Sequence, residues 1–152
     1  MPPIVEQPQY NLLARKRVEV EYRPLYEDPG IGLTTFSPLA SGILTGKYLE
    51  GIPEGSRLEE FPTLRQWLEE SGLLGEKVME KVRKFKKLAD ELGVSMSQLA
   101  IAWILKNERV TSVILGVSSL EQFKENMGAL KAKELLTDDV LKKIDEIFPV
   151  EE

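Results

Sequence analysis

Three short apolar runs, each followed by a helical pattern, constrain the fold of this chain more than any other feature of its sequence. Residues 4–7 form a candidate strand after a pair of prolines, residues 31–36 read as a buried strand stopped by Ser37-Pro38, and residues 111–116 are β-branched and bounded by polar turns. Between them the period changes to that of a helix. Residues 15–26 place Val18, Tyr22, Leu25 and Tyr26 near one face, and Asp28-Pro29-Gly30 ends that pattern. Residues 76–92 carry Val78, Val82, Phe85, Leu88, Ala89 and Leu92 as an apolar stripe, closed by Gly93. Ser95-Met96-Ser97-Gln98 has the spacing of a capping box and opens a helix over residues 98–106 that is apolar nearly all round, which predicts burial. Residues 118–130 form the next helix, and Thr137 with Asp138 and Asp139 starts the last, which carries Leu141, Ile144 and Ile147.

Strands separated by helical crossovers pair in parallel, so the pattern predicts an α/β fold. Three strands with about five helices leave open sheet edges, and a complete barrel of such units needs about 250 residues. The chain has 152 residues. We therefore read residues 1–152 as a single incomplete domain. Met1 directly before Pro2-Pro3 leads us to expect a truncated, engineered or split version of a longer fold.

Composition narrows the chemistry. The chain contains no cysteine and no histidine. That excludes disulfides, thiolate nucleophiles, histidine-dependent triads and the commonest metal ligands, so any chemistry must use Asp, Glu, Lys, Tyr or a bound cofactor, and no metal-binding residue is assigned. A net charge of −5 opposes non-specific nucleic-acid binding, which rests on cations neutralising phosphates. The apolar runs fall far short of the roughly 20 residues of a transmembrane helix, and the start lacks the pattern of a secretory signal. Neither nucleic acid nor membrane insertion is expected, and the absence of cysteine fits a cytoplasmic protein.

Two constellations are candidate ligand sites. In Gly116-Val117-Ser118-Ser119-Leu120-Glu121-Gln122, a strand ends at a glycine and a helix opens two or three residues later, where free N–H groups and the helix dipole welcome an anion. The plainer reading is that Ser118 or Ser119 caps the helix and Glu121 or Gln122 completes a capping box. In Phe36-Ser37-Pro38-Leu39-Ala40-Ser41-Gly42, followed by Thr45-Gly46-Lys47-Tyr48 and Gly55-Ser56-Arg57, an aromatic ends a strand, small residues follow and cations come later. Those are parts for a dinucleotide, or else a Gly-rich surface loop with two solvated cations. Tyr10 has no Lys or His neighbour in sequence to lower its pKa and is not assigned catalysis. Residues 76–87 read as a solvated charged face, and Trp67 and Trp103 as packing aromatics.

These same segments carry a resemblance. Pro3-Ile4-Val5-Glu6-Gln7-Pro8-Gln9-Tyr10-Asn11, Gly32-Leu33-Thr34-Thr35-Phe36-Ser37-Pro38-Leu39-Ala40-Ser41-Gly42, Leu44-Thr45-Gly46-Lys47-Tyr48, Gln98-Leu99-Ala100-Ile101-Ala102-Trp103 and Leu115-Gly116-Val117-Ser118 with Glu125-Asn126 occur in that order. Together they resemble the C-terminal part of the aldo-keto reductases, in the branch that includes potassium-channel beta subunits. The resemblance implies the last three β/α units of a (β/α)8 TIM barrel that binds NADP(H) and reduces aldehydes and ketones. It implies that Gln7 lies by the nicotinamide carboxamide and that Phe36 stacks on the ring, where this branch usually has Trp. Ser37, Pro38, Leu39, Ser41 and Gly42 would follow the pyrophosphate, and Lys47 and Arg57 would meet phosphate charge. Gly116, Ser118, Gln122, Glu125 and Asn126 would hold the adenosine end and its 2′-phosphate. The family's catalytic Asp, Tyr, Lys and His come from earlier strands that this chain lacks. The functions implied are a cofactor-holding part without turnover alone, a regulatory subunit that holds NADP(H), or a structural fragment. The expected partners are the dinucleotide and either further copies of the chain or a complementing N-terminal part of the barrel.

Overall fold

The computed structural model describes residues 3–28 and 30–150. Three strands, β1 (Val5–Glu6), β2 (Gly32–Thr35) and β3 (Val110–Val113), pair in parallel in the order β1-β2-β3. Sequential order with every pair parallel is the winding of a barrel; a doubly wound sheet reverses its order at a switch point. The strands are shorter than the apolar runs that announce them, because pairing stops where the neighbouring strand stops.

Side-chain alternation shows which face is covered. Leu33 and Thr35 of β2 are buried, while Gly32 and Thr34 are half-buried and Phe36, just beyond, is exposed. Val5 lies beside Gly32, and Ser112 beside Thr34, so these residues share the second face. Val5 and Ser112 are exposed, as is Ile114 next to Phe36. One face of the sheet is therefore packed and the other bare.

The packed face rests on α5 (Met96–Lys106), and α4 (Glu76–Leu92) packs against α5 in turn. The α4 stripe buries Val82, Phe85, Leu88 and Ala89 as its spacing predicts. Its polar side carries the ion pairs Arg83–Glu76 and Lys86–Asp90 at 2.6 and 2.7 Å. In α5 eight residues from Met96 to Ile104 are buried, and the Ser95 capping box is complete, with both of its hydrogen bonds at 3.2 Å. The last helix, α8 (Asp138–Ile147), starts at Thr137, whose hydroxyl accepts the Val140 N–H. Phe148 beyond it meets Phe85 edge-on, with centroids 5.6 Å apart.

Four local readings need correction. Residues 15–26 are not one helix: a π-helical turn, Arg17–Glu21, gives way to α1 (Arg23–Glu27) where Pro24, lacking an N–H, cannot continue the ladder. Pro29 lies outside the described residues. The aperiodic stretch from residue 37 contains two 3₁₀ turns within Ala40–Thr45, separated by a kink at Ser41 and Gly42, and the short α2 (Arg57–Glu60), and is followed by α3 (Pro62–Glu70). Pro62 in the first turn was the available start signal for α3. Trp67 is not a packing aromatic, since it is 55% exposed; Leu68 carries the buried side of α3. The helix expected over residues 118–130 divides into α6 (Leu120–Met127) and α7 (Ala129–Ala132) at Gly128. There the Gln98 side chain occupies the space a Cβ would need and donates to the Glu125 carbonyl at 3.0 Å. Among the described residues no single helix is long and apolar enough to cross a membrane.

Arg15 ties the first loop to the last helix. Its guanidinium bonds both Glu19 carboxylate oxygens at 2.8 Å, the Asp145 carboxylate at 2.8 Å and the Phe148 carbonyl, and lies 5.0 Å over the Trp103 ring. Burial alone would lower its pKa, but Glu19 and Asp145 outweigh that and hold it above the ordinary value. Tyr10 completes the cluster by donating to Glu19 at 2.9 Å. Burial, then the Glu19 carboxylate, pushes the Tyr10 phenol far up, and burial raises that of Tyr26 to about 12. A phenol whose folded pKa exceeds its unfolded value of 10.0 contributes stability that is complete below that pH and lost as pH rises through the folded value. The urea midpoint should therefore hold up to about pH 10 and fall towards pH 12. In Tyr26→Phe the fall over that window should be smaller.

Candidate functional site

Parallel strands place their carboxyl ends on one edge, and ligands of α/β folds bind there. Gln7 follows β1, residues 36–42 follow β2 and residues 114–119 follow β3, so all three expected segments leave the same edge. Pairing carries the adjacency past the strands. Gln9 bridges Phe36, Phe36 N–H donates to the Pro8 carbonyl at 3.1 Å, and Ile114 N–H donates to the Thr35 carbonyl at 2.7 Å. Gln7 is exposed, and Phe36, at 40% exposure, offers its ring on the bare face of the sheet.

The loop after β2 has the most unusual backbone. Among the described residues, the non-glycine positions with positive φ are Ser37 (54°), Ala40 (47°) and Ser41 (57°), and Gly42 continues the run at 96°. Left-handed conformations disfavour a Cβ and cost on the order of 1–3 kcal/mol per residue, so they persist where surrounding contacts over-determine them and concentrate at ligand sites. Ala40, Ser41 and Gly42 are consecutive, and the amides of Ala40 and Gly42 donate to the Ser37 and Leu39 carbonyls at 3.1 and 2.9 Å, closing the loop's own turns. Pro38 is buried and Leu39 half-buried, which anchors the loop. A Cβ at Gly42 would lie 2.7 Å from Lys47 Cε, so the glycine lets the lysine stem lie across the loop. Tyr48 lies under that lysine, its ring centroid 5.1 Å from Nζ, and its hydroxyl donates to the Ser41 carbonyl at 3.5 Å. Tyr48 was missed in the sequence; its only signal there was its place beside Lys47. Arg57 is exposed in the first turn of α2.

At the start of α6 the capping reading holds. Ser119 is the N-cap and accepts the Gln122 N–H at 3.2 Å, while Gln122 Oε1 accepts the Ser118 N–H at 2.9 Å and the Ser118 hydroxyl at 3.1 Å. The back-bond thus falls one residue before the N-cap. Gly116 and Ser118 are exposed, Glu125 is exposed with its carbonyl held by Gln98, and Asn126 is buried. Two clefts lie elsewhere: one of about 250 Å³ beside Tyr10, Arg15 and Asp145, and one of about 620 Å³ beside Leu12, Lys16 and Lys81. Neither includes an expected nucleotide-binding residue. Among the described residues no group of three His, Cys, Asp or Glu side chains is placed to hold a metal ion.

A one-sided parallel sheet with its loops gathered at the strand carboxyl ends is the arrangement of part of a (β/α)8 barrel. Comparison with known families agrees: the Aldo/keto reductase family matches residues 1–149, and the chain belongs to it. It is 51% identical over 149 residues to a protein of Arabidopsis thaliana described as a probable voltage-gated potassium channel subunit beta. A protein of Oryza sativa subsp. japonica with the same description is 50% identical over 148 residues. A putative voltage-gated potassium channel subunit beta of Schizosaccharomyces pombe is 48% identical over 147 residues. These alignments cover 95–96% of this chain but only 42–44% of the relatives, so the chain spans less than half their length.

The geometry at α6 separates its two serines. Ser119→Ala should lower stability by about 1 kcal/mol, the usual cost of a lost N-cap. Ser118→Ala, at an exposed position with only a side-chain contact to Gln122, should stay within about 0.5 kcal/mol. Urea denaturation of the two variants checks the difference.

Proposed function

We propose that this chain is the NADP(H)-holding C-terminal part of an aldo/keto reductase barrel, its last three β/α units, and that it does not turn over carbonyl substrates alone. The observation that carries the reading is the run of positive φ at Ser37, Ala40, Ser41 and Gly42, placed at the carboxyl end of the central parallel strand. Strain of this kind at a strand end fits a backbone shaped to approach a pyrophosphate, and Lys47 and the exposed Arg57 supply phosphate charge. When bound, the nicotinamide supplies a hydride to an aldehyde or ketone.

In this reading Phe36 stacks on the nicotinamide through its exposed face, and Gln7 meets the carboxamide with its own amide. Ser37, Pro38, Leu39, Ser41 and Gly42 follow the pyrophosphate. Gly116, Ser118, Gln122, Glu125 and Asn126 lie at the adenosine end, Asn126 being buried. The amide of Ser118 reaches a phosphate only once Gln122 releases it, so Gln122 acts as a stand-in for the anion. No histidine is available as proton donor, and Tyr10 is buried against Glu19, which keeps its phenol protonated and away from a carbonyl.

The bare sheet face belongs to the same reading. Ile4, Val5, Phe36 and Ile114 are exposed around it, and Leu120, Phe123, Met127 and Leu130 form an exposed apolar stripe along α6 and α7. Apolar surface of this extent fits a covered interface. Further strand–helix units, in a longer polypeptide or another copy, would close the barrel and give the cofactor its second wall. A regulatory subunit that holds NADP(H) is the second reading, favoured by the descriptions of the relatives. Carbonyl-dependent oxidation of NADPH by the completed barrel would separate an enzyme from such a subunit.

NADPH fluorescence should change on titration with the chain; unchanged emission at millimolar protein would overturn the reading. Arg57→Ala should weaken NADPH more than NADH, by about tenfold if the guanidinium meets the 2′-phosphate. With NADPH and an aldehyde present, absorbance at the nicotinamide band should decay no faster than in buffer, and clear turnover would show a proton donor not identified above.

A further inference from the structure

The strained loop after β2 is held from outside, by a residue of the loop after β1. Asn11 is 0% exposed. Its Nδ2 donates to the Ser37 carbonyl at 2.9 Å, and its Oδ1 accepts the Leu13 N–H at 2.9 Å. The two partners, one carbonyl and one N–H, fix the amide in a single orientation, since the flipped side chain would face like with like. The backbone around Asn11 is itself closed by its exchange with Ala14, the carbonyl of Asn11 accepting at 3.0 Å. The side chain therefore projects from a rigid turn onto a residue 26 positions away.

The receiving carbonyl is that of the first positive-φ residue, Ser37. It also accepts the Ala40 N–H at 3.1 Å, closing the turn that leads into Ala40, Ser41 and Gly42. A lone turn of this kind would relax towards negative φ at Ser37 and swing the following amides away. The second donor, buried and pre-oriented, makes that relaxation leave a carbonyl and an amide without partners inside the protein, which is costly.

We propose that Asn11 is a positioning residue for the dinucleotide loop: its buried amide holds the Ser37 carbonyl and so keeps the backbone of residues 37–42 in its left-handed course. The inference rests on the NADP(H) reading for the identity of the ligand. The hold on the loop stands on the geometry alone.

Asn11→Ala removes both bonds. Asn11→Asp keeps an acceptor for Leu13 and loses the donor to Ser37, so it serves where the alanine variant folds poorly. Each is titrated with NADPH and with 2′,5′-ADP, which carries the adenosine end but no bridge to a nicotinamide. Both variants should bind NADPH about tenfold more weakly, with 2′,5′-ADP within about twofold of the unaltered chain. Amide hydrogen exchange should also speed up at Ala40 and Gly42 while α4 stays protected. Unchanged NADPH affinity, or an equal loss for both ligands, would overturn the positioning role. If the unaltered chain binds no NADPH, the cofactor reading falls and takes the ligand role with it; exchange at residues 40 and 42 still decides whether Asn11 holds the loop.

Discussion

The parallel pairing of β2 with a neighbour on each side is the constraint on which the rest depends. It fixes one direction for all three strands, so their carboxyl ends, and every loop that follows them, share an edge. It also forces each crossover to return over the sheet, and with right-handed crossovers in sequential order the returning helices gather on one face. The packed face of Leu33 and Thr35 and the bare face of Val5, Phe36 and Ile114 are two consequences of that single rule. A ligand held at the strand ends would thus be presented towards the bare side, where Phe36 points.

Loops at such an edge are only as ordered as their anchors. Arg15, oriented by Glu19, fastens the first loop to the end of α8 through Asp145 and the Phe148 carbonyl. The guanidinium itself is buried, whereas Asp145 is mostly exposed, so the Phe148 carbonyl, 133 residues away in sequence, is the partner that replacing Arg15 would leave unsatisfied inside the protein. The loop thus anchored carries Asn11, and Asn11 in turn reaches the Ser37 carbonyl. A series of contacts therefore runs from α8, through one guanidinium and one amide, to the positions with positive φ.

How much of this was legible depends on the range of the interactions involved. Local signals were read well: the α4 stripe, the Ser95 box and the Thr137 cap depend on spacings of three or four residues, and each lies where the sequence puts it. The capping alternative at residues 118–122 was legible too, although which serine capped was not, because both hydroxyls stand within reach of the same turn. The division of α6 from α7 was not legible, since it comes from Gln98, which is distant in sequence and already engaged in a box of its own. Trp67 misled for a related reason: its size argues for burial, but α3 is short and one leucine satisfies its inner side. The candidate site divides the same way. Its residue types and order could be read from Gly, Ser and Lys along the loop, while the positive φ at Ser37, Ala40 and Ser41 could not, because none of these residue types favours it.

That last mismatch is itself informative. A chain that needed only a turn after β2 would place glycine or asparagine at the left-handed positions and avoid the cost. Here the cost is carried by Ser and Ala, while glycine is reserved for position 42, where Lys47 crosses the backbone. Two hydroxyls and a small methyl at the strained positions give a loop surface that is polar, compact and held in shape by outside contacts. A turn kept for folding alone gains nothing from that arrangement. Small residues leave the backbone open to close approach, and the amides of Ala40 and Gly42 close the loop's own turns, so what such a loop offers a ligand at this edge is access and the hydroxyls of Ser37 and Ser41.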